Sequence, residues 1–255
     1  MRIVSAGLTD LGKCRLHNED SFAFSDEQGL YIVADGMGGH AAGEIASRTA
    51  VSVIFDFVSH QFTKGDATWP PGIDASLDHH HQVLMAAAHA ANQCLCNLSE
   101  KNAQYTGMGT TLVAMMVNGA NAYIAHVGDS RVYLLRDKHL QMLTHDHTWV
   151  NEQVQRNLLS TEEAREHRWR NVITRALGST CNLAVDAVKK EIRLGDWFLL
   201  CSDGLTSMVA DAEIEGILSQ GADADPRQVC RLLVDKANAA GGEDNISLVL
   251  VRAVP

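Results

Sequence analysis

Four apolar runs in this chain meet an aspartate at one end: LYIVADG at Asp35, YIAHVGDS at Asp129, WFLLCSDG at Asp203 and, opening its run, GGEDNISLVLV at Asp244. Short continuous runs rich in β-branched and aromatic residues read as strands buried on both faces. A chain that buries them must bring their charged tips to water or to counter-charge. Any one Asp beside Gly or Ser is an ordinary turn former. If the tips converge, with Glu19-Asp20 ahead of another strand, roughly five or six carboxylates share one recess, and like charges so placed cannot all stay ionised without cations. Oxygen donors, with no Cys and no obligatory His, favour Mg²⁺ or Mn²⁺ over zinc. Gly36 leaves its carbonyl free to approach an ion without a Cβ in the way.

Around these runs the chain segregates into strands and helices. Arg2 to Leu8 and Ser21 to Phe24 read as strands, and His40 to Phe62 reads as an amphipathic helix with Ala42, Ile45, Ala46, Thr49, Val53, Ile54 and Phe57 on its apolar face. Lys64 to Asp78, holding Trp69-Pro70-Pro71-Gly72, reads as a surface loop before a second long helix from Asp78 to Asn102. Asn118-Gly119 between apolar runs predicts a hairpin, RVYLLRDKHLQML another, and the polar, His- and Arg-rich stretch Thr144 to Ser179 a lid with weak helical patches. Strands at Ala184 to Leu194 and Trp197 to Cys201, helices at Asp211 to Ser219 and Pro226 to Ala239, and a last strand from Asp244 complete the reading. This predicts one α+β domain over residues 1–255, two antiparallel sheets flanked by helices, rather than a parallel Rossmann sheet. GMGGHAAG spells neither GxGxxG nor a Walker A loop.

Composition narrows the partners. With 21 Lys+Arg against 31 Asp+Glu, the net charge of −10 repels a nucleic acid. No apolar stretch nears the 18 or so residues of a membrane span, so a soluble, cytoplasmic chain is expected. Six scattered cysteines without a CxxC pair suggest reduced, mostly buried thiols, and none is followed by Arg six positions later as a thiolate phosphate loop requires.

RLHNED (Arg15 to Asp20), VADGMGGHAAGEIAS (Val33 to Ser47), GTT (Gly109 to Thr111), HVGDSRVY (His126 to Tyr133), LTHDHT (Leu143 to Thr148), NVITRALG (Asn171 to Gly178), CSDGLT (Cys201 to Thr206) and GGEDNISLVLV (Gly241 to Val251) resemble, in order, the motifs of the metal-dependent type 2C Ser/Thr protein phosphatases, in the compact bacterial form. The resemblance implies a β-sandwich with a pair of helices on each outer face and a mobile flap at about residues 144–179. It implies hydrolysis of phosphoserine and phosphothreonine by a metal-activated water, with Asp35 bridging two Mn²⁺ or Mg²⁺ ions. Asp203 and Asp244 would hold one ion, the Gly36 carbonyl the other, and Asp129 with Asp203 a weaker third. Glu19 and Asp20 would orient water on the metals, and Arg15 would grip the phosphate. Phosphorylated Ser/Thr proteins, a cognate kinase among them, are the implied partners, and a monomer is expected. A non-catalytic phosphoprotein-binding relative is the alternative; it would be expected to lack one of the metal carboxylates, and Asp35, Asp203 and Asp244 are all present.

The chain departs from the better-known eukaryotic pattern at two positions. Met37 stands where a His commonly follows Asp-Gly, and a thioether cannot protonate a leaving alcohol. His40 is a candidate general acid, against a solvent-facing His or a metal-bound water in that role; His40→Ala is expected to lower turnover less than about tenfold, and a loss near a thousandfold would overturn this. Ser207 stands where many members carry an acid that supports the third metal, so weaker third-site binding is expected. Arg165, Arg168, Arg170 and Arg175, with His145, His147 and His167, are candidate phosphoprotein contacts in the flap. His145-Asp146-His147 alone offers no four-ligand zinc spacing, and His79-His80-His81 read as exposed imidazoles.

Overall fold

Each apolar run read as a strand is one in the computed structural model, which describes residues 1–38, 42–64, 73, 76–221 and 224–255. The strands are β1 (Arg2–Asp10), β2 (Asp20–Ser25), β3 (Leu30–Met37), β4 (Gly109–Thr110), β5 (Leu112–Asn118), β6 (Asn121–Val127), β7 (Arg131–Arg136), β8 (His139–Met142), β9 (Asp186–Glu191), β10 (Trp197–Cys201) and β11 (Ile246–Val254). The helices are α1 (Ala42–Lys64), α2 (His79–Lys101), α3 (Trp149–Gln155), α4 (Thr161–Glu166), α5 (Asp203–Thr206), α6 (Asp211–Gln220) and α7 (Pro226–Ala239). Two antiparallel sheets result, one ordered β1-β11-β10-β7-β8 and the other β2-β3-β5-β6-β9 with β4 beside β3.

Why the central strands are apolar throughout follows from the pleat. In β3, Leu30, Ile32 and Ala34 turn outward against α1 and α2, while Tyr31 and Val33 turn inward to the other sheet. In β10, Trp197, Leu199 and Cys201 face α6 and α7, while Phe198 and Leu200 face the sandwich interior. With both faces dry, alternation of polarity disappears and only alternation of direction is left. Met115, Met116, Trp197 and Phe198 are core residues, as read from the sequence.

Local turn chemistry sets the register. Asn118 pairs with Asn121, so the hairpin loop is Gly119-Ala120, one residue beyond the expected Asn-Gly step, with Gly119 at φ 59°. Asp137 and Lys138, both at positive φ, make the other two-residue turn. Among the described residues no helix is long and apolar enough to cross a membrane.

Some sequence readings need correction. Only Cys96, Cys201 and Cys230 are buried; Cys14 and Cys181 are exposed. His81 is not an exposed imidazole: it is buried, its Nε2 lies 2.8 Å from the Val188 carbonyl, and its ring meets Tyr123 edge-on. Residues 65–72 and 74–75 of the expected loop, His40 and the Arg165 side chain lie outside the described residues.

Candidate metal centre

Antiparallel register brings the acid-bearing ends together. Asp20, opening β2, is the cross-strand partner of Asp35 in β3, and Cys201, just before Asp203, pairs with both Arg131 and Leu248. Hydrogen bonds then join one sheet to the other at this edge: Ser202 Oγ donates to Asp20 Oδ2 at 2.8 Å, and the Glu19 N–H donates to Asn245 Oδ1 at 2.8 Å.

Main-chain contacts hold Asp35. Its N–H donates to Thr111 Oγ1 at 2.9 Å, and its carbonyl accepts from the Thr111 N–H at 2.8 Å and from Thr110 Oγ1 at 2.9 Å. No hydrogen bond of the Asp35 carboxylate to a main-chain group appears among the described residues. Packing also requires Gly36: a Cβ there would collide with the carbonyl oxygens of Gly43 and Glu19, so the glycine lets β3 pass against the first turn of α1. Gly43 in turn leaves space for the Glu19 carboxylate.

Asp244 Oδ1 accepts from the Asn245 N–H at 2.8 Å, and its Oδ2 lies 2.6 Å from Arg15 Nη2, a guanidinium half open to solvent. The Asn245 amide donates to the carbonyls of Leu11 at 2.9 Å and His17 at 3.1 Å, so this one side chain ties the segment carrying Arg15 and Glu19 to the start of β11. Asn245, Ser202 and Thr111 were quoted within motifs but given no role by sequence reasoning. Their signal is only that Ser202 and Asn245 each adjoin an acid and Thr111 closes a Gly-Thr-Thr run.

Asp20 and Asp129 are buried, and Asp35, Asp203 and Asp244 half-buried. Burial, then the charges of Asp20, Asp203, Asp129 and Asp244, hold Asp35 well above the ordinary carboxylate range. Burial lifts Asp20 to about 7 against the opposing bonds from Ser202 and Ser247, and lifts Asp129 to about 7 with help from Asp203 and Asp146. Asp203 is raised by burial and then by Asp244, and Glu19 by burial against the pull of Arg15. Asp203 Oδ1 is buried and has no donor among the described residues. An all-oxygen set with mutual repulsion and an orphaned buried oxygen fits hard divalent cations.

The stretch 144–179 is tied to the same edge. Thr110 and Leu177 exchange backbone hydrogen bonds of 3.0 and 2.9 Å. Asp146 takes Arg131 in a fork, 2.9 Å to Nε and 2.6 Å to Nη2, while Arg131 Nη1 donates to Tyr133 at 2.9 Å. Asp146 is therefore a partner of Arg131 and not of its neighbouring histidines. Asp146→Ala strands a largely buried guanidinium and is expected to cost about 3–5 kcal/mol in a denaturant melt. Of the expected phosphoprotein contacts, Arg168, Arg170 and His145 are exposed, His167 and Arg175 half-buried, and His147 buried.

Comparisons with known proteins agree with this geometry. The description "Protein phosphatase 2C" matches residues 13–233. The serine/threonine phosphatase stp of Listeria monocytogenes serotype 4b is 38% identical over 95% of this chain and 93% of its own length. A crystal structure of the Mycobacterium tuberculosis serine/threonine phosphatase PstP/Ppp superposes with a TM-score of 0.87 at 33% identity, covering 100% of both chains. Another, of the catalytic domain of the serine/threonine protein phosphatase PstP in complex with 2 manganese ions, gives a TM-score of 0.83 at 34% identity over 99% of both chains. Motifs, sandwich and acid cluster thus have one explanation, and the chain belongs to the protein phosphatase 2C family of serine/threonine phosphatases.

Proposed function

We propose that the carboxylate cluster holds two divalent ions, Mn²⁺ or Mg²⁺, and hydrolyses phosphoserine and phosphothreonine in proteins. In this reading Asp35, Asp203, Asp244 and the Gly36 carbonyl would hold the two ions, Asp35 being shared, Asp203 and Asp244 serving one and Gly36 the other. Asp129 with Asp203 serves a weaker third, for which Ser207 supplies no carboxylate. The observation that carries the reading is the convergence of Asp20, Asp35, Asp129, Asp203 and Asp244 from two sheets, with one buried Asp203 oxygen left without a donor. When bound, such ions acidify water and offset charge on phosphoryl oxygens.

The chain's own residues do the rest. Arg15, 2.6 Å from Asp244 and half exposed, can turn its fork to a phosphate without leaving the acid cluster. Glu19 and Asp20 hold acceptors toward the site to orient water. Nothing in the chain needs to form a covalent phosphoenzyme, since the buried Cys201 thiol beside the site is pushed up to about 12 and stays protonated.

The working unit in this proposal is one phosphatase domain over 1–255 with a flap at about 144–179. It acts as a cytoplasmic monomer on phosphorylated Ser/Thr proteins, a cognate kinase among them. The test is phosphate release from a phosphothreonine peptide with Mn²⁺, with Mg²⁺ and with excess EDTA, beside Asp203→Asn. Metal-dependent release that is lost in EDTA and in the variant supports the proposal. Silence of the folded, metal-loaded protein on several phosphopeptides would favour the non-catalytic, phosphoprotein-binding alternative.

A further inference from the structure

Asp129 stands in a turn whose geometry needs outside support. Gly128 before it has φ +103°, and a Cβ there would press on the Thr111 side chain at 2.7 Å. On that side the turn is closed by Thr111, whose Oγ1 lies 2.7 Å from Ser130 Oγ. On the other side is His147, a flap residue. Its ring Nδ1 accepts from the Gly128 N–H at 3.1 Å, and its backbone N–H donates to the Gly128 carbonyl at 2.8 Å. Both polar groups of Gly128 are thus held by one histidine.

The histidine is itself oriented. With Nδ1 accepting, the proton of a neutral imidazole must sit on Nε2, and Nε2 lies 3.2 Å from Asp186 Oδ2. Asp186 is fixed by Arg175, whose Nη1 donates to Oδ1 at 3.0 Å. The His126 ring lies 4.6 Å from that of His147; burial pushes it down to about 3, so it adds no charge. His126 is also the cross-strand partner of Asp186, which fixes the spacing of the cluster.

His126, His147 and Asp186 are close enough to suggest an ion, with donor atoms within 4.8 Å of one another. The tautomer argues otherwise, because the Nε2 lone pair is taken by the proton facing Asp186, and Arg175 Nη1 stands 3.3 Å from the same nitrogen. A guanidinium and an N–H fill the place a cation would take.

We propose that His147 is a positioning residue: held in one tautomer by Asp186 and Arg175, it fixes the Gly128 peptide and thereby the Asp129 carboxylate, tuning how tightly the weakest metal site binds. This rests on the assignment of Asp129 to that site. The chain of contacts also links Arg175 in the flap to an acid of the metal cluster without either touching the other.

Two readouts separate the parts. The first is amide hydrogen exchange at Gly128 in metal-free protein, which does not depend on any metal assignment. His147→Leu removes the acceptor and is expected to raise that exchange at least about fivefold, whereas His147→Asn, whose Oδ1 can take the place of Nδ1, retains most of the protection. The second is Mn²⁺ titration followed by the free-ion resonance signal. His147→Leu and Asp186→Ala are expected to weaken the weakest class of site about five- to tenfold, and Asp186→Asn, which can still accept from Nε2–H, by much less. Asp186 is half exposed, so its variants are expected to stay folded if His147→Leu does not. Unchanged Gly128 exchange in His147→Leu would overturn the clamp. Lost protection at Gly128 with an unchanged Mn²⁺ titration would overturn its coupling to Asp129. Asp129→Asn is the control: if it leaves the titration unaltered, the metal assignment has failed, and the exchange data still judge the clamp.

Discussion

Asp35→Asn is expected to release phosphate about a thousandfold more slowly than the parent chain, and yet to melt higher when both are stripped of metal. The loss follows from the place of Asp35 at the centre of the acid cluster, where removing one preorganised electrostatic group costs about 10²–10³ in turnover. The gain follows from the same geometry. Asp35 is raised far above the ordinary carboxylate range by burial and by four neighbouring acids, so the metal-free fold bears its ionisation as a cost. An amide of the same shape removes that cost, and relief of a buried charge by about 1–4 kcal/mol corresponds to a rise of roughly 3–10 °C for a chain of this size. The backbone does not depend on the carboxylate, because Thr110 and Thr111 bind the Asp35 N–H and carbonyl. Calorimetry in EDTA beside a phosphatase assay in Mn²⁺ checks both halves. A variant that kept its activity, or that melted lower in EDTA, would refute the account of the site.

Metal-free protein is also expected to lose stability as pH rises from 6.5 to 8. Asp20 and Asp129 are raised to about 7 in the fold, against about 4 in an unfolded chain. Between those values the native state holds more protons, so the stabilisation is complete below about pH 4 and is lost as pH climbs through 7. His126, depressed to about 3, acts in the opposite sense, but only below its unfolded value of about 6.5. Above that pH the acids stand alone, and a fall of about 3–6 °C in melting temperature is expected across the window. Saturating Mn²⁺ should flatten the curve, since cations replace the protons. A metal-free melting temperature independent of pH would mean that the carboxylates do not share one recess.

Strands and helices were legible because each sheet is buried on both faces and each long helix on one, which leaves apolar runs and three-four spacing in the chain. The acids were legible because each ends or opens such a run. What left no trace was contact between a side chain and a distant group elsewhere in the chain. Asn245 reaches Leu11 and His17, and Ser202 reaches Asp20, across spans with no period to betray them. His147 was read as one of several flap histidines. Its partner Asp186 opens a strand far along the chain, and only the pairing of β6 with β9 puts His126 beside that strand. The crowding at Gly36 also left no trace: the carbonyls of Gly43 at the start of α1 and of Glu19 leave no room for a Cβ there. His81 escaped because only the packing of α2 on Tyr123 separates the three adjacent histidines: His79 is exposed, His80 half-buried and stacked on Tyr123, and His81 buried edge-on to the same ring.

The seam where the sheets meet through Asp20, Ser202, Glu19 and Asn245 has a consequence for how much of the protein a cell keeps. The same carboxylates that await cations also repel one another across that seam, so any ligand of the native state shifts the balance between folded chain and degradable chain. Depletion of the divalent ion would then act twice, silencing the molecules that remain and shortening their lifetime. Abundance would track the ion supply with no change in synthesis.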